Sequence, residues 1–331
     1  MSIAHTIFYI VVFMFFVIGV SLSVTLLSNT EPTVYMILNP IRYGINRKPF
    51  VHSSVINVPD TVDTDFDKST ALPCCQFIEN LYAYNISVDN MEFCRSFKYD
   101  ASVADVENIA NSSFGCIYYA KNTLFVVFRG TEVRLQEWMD NLKYYQVSAK
   151  HKLAEKPPTF MSKKIDMWDE KSFIEYHRDI DIMVHAGWLG TTCHVMDIVS
   201  EVINEKSTGN DSIKVVFTGH SMGGCISTLL AAEMATLYPN ISCILYTFAS
   251  PRVGNRAFVD YINNLENLRI HRVVNLSDTL PDLIAAVAPN FSDPKKPYFY
   301  NHCGELYYFD VNLLSIYNNH TIVTYRNHFE Q

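Results

Sequence analysis

The chain has 331 residues, of which 49% are hydrophobic and 13% aromatic, which is sufficient for one domain with a substantial core. The formal net charge is −8, and no run of basic residues is interleaved with aromatic residues. These properties exclude a nucleic-acid partner on electrostatic grounds. The eight cysteines show no metal-ligand spacing, so no metal site is expected.

The N-terminus carries an almost unbroken apolar stretch. Ile7 to Leu27 spans 21 residues, and no Lys or Arg precedes Arg42. A stretch of this length is sufficient to cross a bilayer. The alternative is a cleaved signal peptide, because Ser21 and Ser23 provide the small residues that a signal peptidase requires. The stretch exceeds the usual hydrophobic region of such peptides, so residues 1–30 are interpreted as a signal-anchor in preference to a signal peptide.

Two signals disagree about the compartment of the following chain. Basic residues after the apolar stretch favour a cytoplasmic side. Sequons of the N-x-S/T type favour a lumenal, glycosylated chain, and they begin at Asn85, Asn111, Asn210, Asn240, Asn275, Asn290 and Asn319. We expect a single-pass membrane protein of the secretory pathway with a lumenal or extracellular catalytic domain, or a secreted protein after cleavage.

The cysteines bear on the same question. A loop-like N-terminal region holds four that are candidates for disulfide bonds in an oxidising compartment, namely Cys74, Cys75, Cys94 and Cys116. Cys225 and Cys243 lie in apolar segments, where buried free thiols are expected.

The chain after residue 70 alternates between two kinds of segment. Residues 31–70 are polar and turn-rich, which is typical of a linker or stalk, so the domain is placed at 71–331. Helical stretches such as Met222–Tyr238 separate predicted strands at Gly115–Tyr119, Leu124–Phe128, Ile213–Thr218, Cys243–Phe248, Ile270–Asn275 and Glu305–Phe309. The alternation predicts an α/β fold with a mostly parallel central sheet flanked by helices.

A G-x-S-x-G motif lies between one of these strands and a helix. Ile213–Thr218 runs into Gly219-His220-Ser221-Met222-Gly223, the strand, turn and helix that a nucleophile elbow requires. The glycines avoid clashes of side chains two residues before and after Ser221. The Met222 amide at the helix N-terminus is then available to an oxyanion. His220 is interpreted as a packing residue, because neighbours in a turn point apart.

Four motifs in order resemble those of the class 3 lipases, the fungal-lipase-like α/β hydrolases. They are Phe128-Arg-Gly-Thr131, Val184–Trp188, Gly219–Gly224 and Phe248–Asn255, within a resemblance that spans residues 124–325. The resemblance implies the α/β-hydrolase fold and a second oxyanion donor at Thr131, facing Met222. It also implies a lid after Thr131, where an apolar stripe at helical spacing comprises Leu135, Trp138, Met139 and Leu142.

The acid of a triad lies just after a strand end, where it orients the histidine. Asp278 follows the strand Ile270–Asn275 and matches the family pattern N-x-x-D-x-hydrophobic-P, which ends here at Pro281. Asp282 is the alternative acid, although it is more readily interpreted as a solvated loop residue.

The base follows the acid in the chain order of α/β hydrolases, which leaves His302, His320 and His328. His320 matches the family ending H-x-x-x-x-Y with Tyr325, and His302 resembles a structural motif near the last strand. His328 is the fallback, since it lies close to the C-terminus. Asn319 and Thr321 make a sequon around His320, and a glycan there would crowd the site.

These residues predict a serine lipase or esterase that hydrolyses acyl esters of glycerolipids through Ser221, Asp278 and His320, with an acyl-enzyme intermediate and no cofactor. The expected partners are a lipid ester and a lipid–water interface or membrane, and the sequence indicates no particular protein partner. Phospholipase A1 activity is the main alternative. A catalytically silent, lipid-binding membrane protein is a further alternative, but such relatives usually lose a triad residue.

Overall fold

A computed structural model of the chain describes residues 50–98, 113–131, 144–149, 182–210, 212–282, 284–290 and 293–331. The predicted N-terminal anchor and residues 31–49 of the predicted stalk lie outside these ranges, as do the predicted lid residues Leu135, Trp138, Met139 and Leu142. None of the helices within the described ranges combines the length and apolar character that a membrane crossing demands.

The centre of the fold is a β-sheet. The strands in chain order are β1 (Glu92–Lys98), β2 (Ser113–Ala120), β3 (Thr123–Phe128), β4 (Gln146–Ser148), β5 (Met183–His185), β6 (Lys214–His220), β7 (Ser242–Phe248), β8 (Leu268–Asn275), β9 (Val287–Ala288), β10 (Tyr298–Phe299) and β11 (Glu305–Phe309). In the described residues, seven of them form one sheet in the order β1-β2-β3-β6-β7-β8-β11. Each neighbouring pair from β3 to β11 in this order is parallel. The β1–β2 and β2–β3 pairs are antiparallel.

The central strands are buried on both faces. All six residues of β3 are buried, as are the last six of β6 and of β7. A parallel strand that is covered by helices on both sides has no polar face, which explains the continuous apolar runs in the sequence. The predicted α/β fold with a mostly parallel central sheet is confirmed.

Helices cover both faces of the sheet. They are α1 (Lys68–Tyr82), α2 (Ala186–Ser207), α3 (Met222–Leu237), α4 (Arg256–Asn263), α5 (Ile316–His320) and α6 (Ile322–Phe329), with a 3₁₀ turn at Leu280–Asp282. One hydrophobic cluster joins α2, α3 and α4 to the sheet, and a second joins α1 and α6 to the opposite face. The reactive edge formed by the carboxyl ends of β3, β6 and β8 is thereby held between two packed layers.

The compact domain begins at Phe50 rather than at residue 71. Ile56 and Val62 are 0% and 1% exposed, so the latter part of the predicted stalk packs against the domain. The backbone N–H of Asp67 donates to the Tyr246 hydroxyl at 3.0 Å. Isolated buried residues in a polar, turn-rich segment produce no periodic pattern. The domain boundary predicted from the sequence therefore lies too far along the chain.

The predicted disulfide bonds are wrong, because all eight cysteines are free thiols. Cys74 and Cys75 lie on α1, and Cys116 lies on β2, so this region is not loop-like. Burial raises the pKa of the Cys74 and Cys116 thiols to about 12. The disulfide argument for an oxidising compartment therefore fails. Cys225 and Cys243 are buried thiols, as predicted.

A buried ion pair joins α1 to α6. The Glu79 carboxylate accepts hydrogen bonds from Arg326 Nε at 2.5 Å and from the backbone N–H of Val51 at 2.9 Å. The Glu79 side chain is 2% exposed and that of Arg326 is 17% exposed. A carboxylate at this depth requires its partners, since removal of one leaves an uncompensated charge.

Arg326→Met is expected to lower the free energy of unfolding by about 3 kcal/mol, because the buried Glu79 carboxylate loses its main partner. Chemical denaturation measures this difference. The matched control is Arg256→Met, which breaks a pair with Asp260 whose side chains are 77% and 51% exposed. That change is expected to cost less than about 0.5 kcal/mol. Equal losses in the two variants would contradict the stabilising role of the buried pair.

Candidate active site

The nucleophile elbow has the strained backbone that its motif implies. Ser221 caps the N-terminus of α3 with φ 56° and ψ −126°, in a region that residues other than glycine rarely adopt. A Cβ on Gly223 would lie 2.5 Å from the carbonyl oxygen of Phe128, and a Cβ on Gly219 would collide with Gly223. The glycines therefore let β3, β6 and α3 approach closely enough to present the serine hydroxyl at the sheet edge.

Three of the predicted site residues come together at this edge. His320 Nε2 lies 3.0 Å from Ser221 Oγ, and His320 Nδ1 lies 2.8 Å from Asp278 Oδ2. Asp278 follows β8 and its side chain is fully buried, whereas His320 ends α5 and its side chain is 14% exposed. A carboxylate at Nδ1 leaves Nε2 unprotonated toward the serine, which is the arrangement that a general base requires.

Asp278 has two further donors. The Tyr325 hydroxyl donates to Asp278 Oδ2 at 2.8 Å, and the backbone N–H of Leu280 donates to Oδ1 at 3.0 Å. Burial and, to a smaller extent, the charge of Asp278 raise the pKa of Tyr325 well above its usual range, so the hydroxyl remains a donor. Tyr325 was visible in the sequence only as the last residue of the H-x-x-x-x-Y pattern.

The alternative acid and bases lie elsewhere. Asp282 pairs with Arg252 at 2.5 Å and faces His302 Nε2 at 3.6 Å. Its contacts with His302 and Arg252 lower the pKa of Asp282 to about 2. His328 stacks on Phe309 with ring centroids 4.2 Å apart. Among the described residues, no group of three or more His, Cys, Asp and Glu side chains has a metal-binding arrangement.

The two predicted oxyanion residues are neighbours. The Thr131 hydroxyl donates to Met222 Sδ at 3.5 Å, which places the end of β3 beside the N-terminus of α3. A Cβ on Gly130 would lie 2.8 Å from Ser221 Cβ, so this glycine brings the Thr131 loop against the nucleophile. The Gly130 carbonyl accepts from the buried Arg129 Nη1 at 2.7 Å. Since the peptide group is planar, this bond also orients the Thr131 N–H.

The sequons divide into buried and accessible sites. Asn319 is 5% exposed, and its side-chain amide donates to the Ser277 carbonyl at 2.9 Å while its oxygen accepts from the Leu313 N–H at 2.7 Å. Asn275 is fully buried. Neither side chain has room for a glycan in the folded chain, which removes the conflict between the Asn319 sequon and His320. Glycosylation at the exposed Asn85 and Asn240 stays a prediction.

His220 occupies the position before the nucleophile and is 3% exposed. Its Nδ1 lies 2.8 Å from the Tyr82 hydroxyl, and its Nε2 lies 2.6 Å from the carbonyl oxygen of His320. Both ring nitrogens thus have partners other than Ser221. Tyr82 could not be predicted from the sequence, because it lies far from every motif and reaches the site only through the packing of α1 on β3 and β6.

Comparison with known proteins identifies related sequences. Residues 125–288 match the family model described as Lipase (class 3). Over 202 residues the chain is 26% identical to phospholipase A1-Igamma2, chloroplastic, of Arabidopsis thaliana, covering 56% of this chain and 36% of that protein. Over 196 residues it is 26% identical to a lipase of Rhizomucor miehei, covering 58% of this chain and 43% of that protein. The chain therefore spans less than half the length of these curated relatives.

The architecture also has a solved counterpart. A triacylglycerol lipase from Penicillium expansum superposes with a TM-score of 0.51 and 15% sequence identity, over 74% of this chain and 81% of that one. At this identity the likeness concerns the fold alone, and the predicted α/β-hydrolase fold is confirmed.

The buried histidines make stability depend on pH. Burial lowers the pKa of His220 and of His271 below the usual value, so the folded chain keeps them neutral where the unfolded chain takes up protons. The free energy of unfolding should therefore fall as pH drops below about 6.5, by at most about 1.4 kcal/mol per pH unit for each such histidine. Urea denaturation between pH 8 and about pH 5 measures this slope.

His271→Gln should make the fall in the free energy of unfolding with decreasing pH less steep, because the variant lacks one of these buried imidazoles. A stability that is independent of pH over this range would contradict the burial of neutral imidazoles.

Proposed function

The chain belongs to the class 3 lipase family, and we propose that it is a serine hydrolase that cleaves acyl esters of glycerolipids. The observation that carries this proposal is the contact of His320 with both Ser221 Oγ at 3.0 Å and Asp278 Oδ2 at 2.8 Å. A single imidazole that contacts the serine hydroxyl through one nitrogen and a buried carboxylate through the other can activate the serine as a nucleophile.

The reaction follows from the positions of these groups. His320 Nε2 takes the proton of Ser221 as Oγ bonds to the ester carbonyl carbon, and the carbonyl oxygen becomes an oxyanion. The backbone N–H groups of Met222 and Thr131 stabilise this charge, aided by the N-terminus of α3. His320 then returns the proton to the departing alcohol, which leaves the acyl group on Ser221.

Deacylation repeats the sequence with water as the nucleophile. His320 takes a proton from water, the hydroxide attacks the acyl carbon, and the proton passes to Ser221 Oγ as the fatty acid departs. During both steps Asp278 stabilises the imidazolium. The Tyr325 hydroxyl keeps that carboxylate oriented, since it donates to the same oxygen as His320 Nδ1.

The substrate class has two candidates. A neutral glycerolipid ester is the first, and the sn-1 ester of a phospholipid is the second, because one relative carries the name phospholipase A1. Hydrolysis of triacylglycerol, diacylglycerol and phosphatidylcholine in mixed micelles separates them. The catalytically silent alternative predicts no product from any of the three.

Ser221→Ala tests the nucleophile. A fluorophosphonate probe should label the wild type and not the variant, and ester hydrolysis should fall by about 10⁴- to 10⁶-fold, because the acyl acceptor is removed. The matched control is Ser250→Ala, a 3% exposed serine beside the elbow helix, which should retain labelling. A folded wild type that takes up no probe would refute the proposal, as would labelling that survives in Ser221→Ala.

The N-terminal segment is proposed to send the chain into the secretory pathway. It contains the apolar stretch Ile7–Leu27 and no Lys or Arg before Arg42. Expression in a eukaryotic host followed by N-terminal sequencing and membrane fractionation should find residues 1–30 intact in the membrane fraction. A mature N-terminus within residues 20–30 in the medium would instead establish secretion after cleavage. A full-length chain in the cytosol would refute both.

A further inference from the structure

A chain of buried hydrogen bonds joins the three loops of the site through α1. The Gly130 N–H donates to the Tyr82 hydroxyl at 2.7 Å, and that hydroxyl lies 2.8 Å from His220 Nδ1. His220 Nε2 lies 2.6 Å from the carbonyl oxygen of His320. Gly130 precedes Thr131, His220 precedes Ser221, and His320 is the base. The chain thus ends on the backbone of Gly130 and on the backbone of His320, and the residue between, His220, adjoins Ser221.

The proton positions in this chain are determined by its ends. A backbone N–H can only donate, so the Tyr82 oxygen accepts from Gly130 and its own hydrogen goes to His220 Nδ1. A backbone carbonyl can only accept, so His220 Nε2 carries the hydrogen toward His320. His220 is therefore the neutral Nε2–H tautomer. Burial lowers the pKa of His220 well below its usual range, which agrees with a neutral ring.

The space around these groups is filled. A Cβ on Gly130 would lie 2.5 Å from the Tyr82 hydroxyl and 2.8 Å from Ser221 Cβ. The Tyr82 ring stacks on Phe50 with centroids 4.8 Å apart, which holds the hydroxyl in place. The Gly130 peptide units are thus fixed on both sides, by Tyr82 at the N–H and by Arg129 at the carbonyl.

We propose that Tyr82 and His220 are positioning residues that hold the Thr131 loop, the Ser221 elbow and the His320 backbone in a single catalytic arrangement. This inference rests on the proposed ester hydrolysis. Tyr82 and His220 act through their neighbours, since the hydrogen bonds described end on Gly130 and on the carbonyl of His320. Their loss should therefore lower the rate of acyl transfer while substrate affinity is kept.

Tyr82→Phe removes only the hydroxyl and keeps the ring on Phe50. It leaves the Gly130 N–H and His220 Nδ1 without this partner, so kcat should fall by about 10- to 100-fold, in line with the effect of small misplacements of reacting groups. KM should stay at the wild-type value. Steady-state kinetics on a soluble short-chain ester measure both constants, and the rate of fluorophosphonate inactivation should fall in parallel with kcat.

The matched control is Tyr118→Phe. Tyr118 is a fully buried tyrosine on β2 whose hydroxyl donates to the Ile86 carbonyl at 2.7 Å, and whose ring stacks on Phe77 of α1. Both variants should lower the melting temperature by a few degrees, because each removes one buried hydrogen bond. Only Tyr82→Phe should lower kcat. Equal kcat values in the two variants would overturn the positioning role.

His220 provides a second pair of variants. Gln at this position retains a donor and an acceptor, whereas Leu retains neither. We expect His220→Gln to keep more of the wild-type kcat than His220→Leu at equal thermal stability. Indistinguishable rates in these two variants would count against the hydrogen-bonded chain.

The tautomer can be measured without any substrate. In ¹⁵N-histidine NMR at neutral pH, His220 should carry its proton on Nε2, and Tyr82→Phe should shift the Nδ1 resonance. A proton on Nδ1 would overturn the chain of hydrogen bonds. A wild type that neither hydrolyses esters nor takes up the probe would refute the proposed function, whereas an active wild type with a fully active Tyr82→Phe would refute the positioning role alone.

Discussion

The backbone at Ser221 is the constraint on which the site depends. A φ of 56° in a residue with a side chain is unfavourable, and it persists only because the surrounding chain holds it. The Ser221 N–H donates to the Phe248 carbonyl at 2.9 Å, and the Ser221 carbonyl accepts from the Gly224 N–H at 2.9 Å. The strained residue is thereby held to β7 on one side and to α3 on the other. The parallel sheet thus holds Ser221 in place, and the loops that follow the neighbouring strands supply its side-chain partners.

Buried polar side chains keep those loops in place. Tyr325 donates to Asp278, Asn319 links the Leu313 and Ser277 backbones, and Tyr82 accepts from Gly130. Each of these groups is deeply buried, where an unsatisfied donor or acceptor costs about 1–3 kcal/mol. Such networks favour one arrangement of the loops over its alternatives, because a displaced loop would break several bonds at once. The ion pair between Glu79 and Arg326 extends the same principle to the packing of α1 on α6.

Some strands and site residues could be predicted from the sequence, whereas the start of the domain and the state of several cysteines could not. The strand β11 was predicted at its observed bounds, and the central strands within two residues, because buried parallel strands are continuous apolar runs. Asp278 and His320 were chosen on motif position, and the structure places both within hydrogen-bond distance of their expected neighbours. The start of the domain and the state of Cys74, Cys75 and Cys116 were misjudged. Isolated apolar residues carry no periodic signal, and helix α1 includes Pro73, which interrupts a helical pattern.

Local patterns of apolar residues, glycines and polar groups at strand ends were sufficient to predict six of the strands, the elbow around Ser221 and the triad candidates. The roles of Tyr82, His220 and Asn319 depend on contacts between residues far apart in the chain. Tyr82 lies 48 positions from Gly130 and 138 from His220 in the chain. No local pattern records such a distance, since it is the packing of α1 on the sheet that brings the hydroxyl between the Thr131 loop and Ser221.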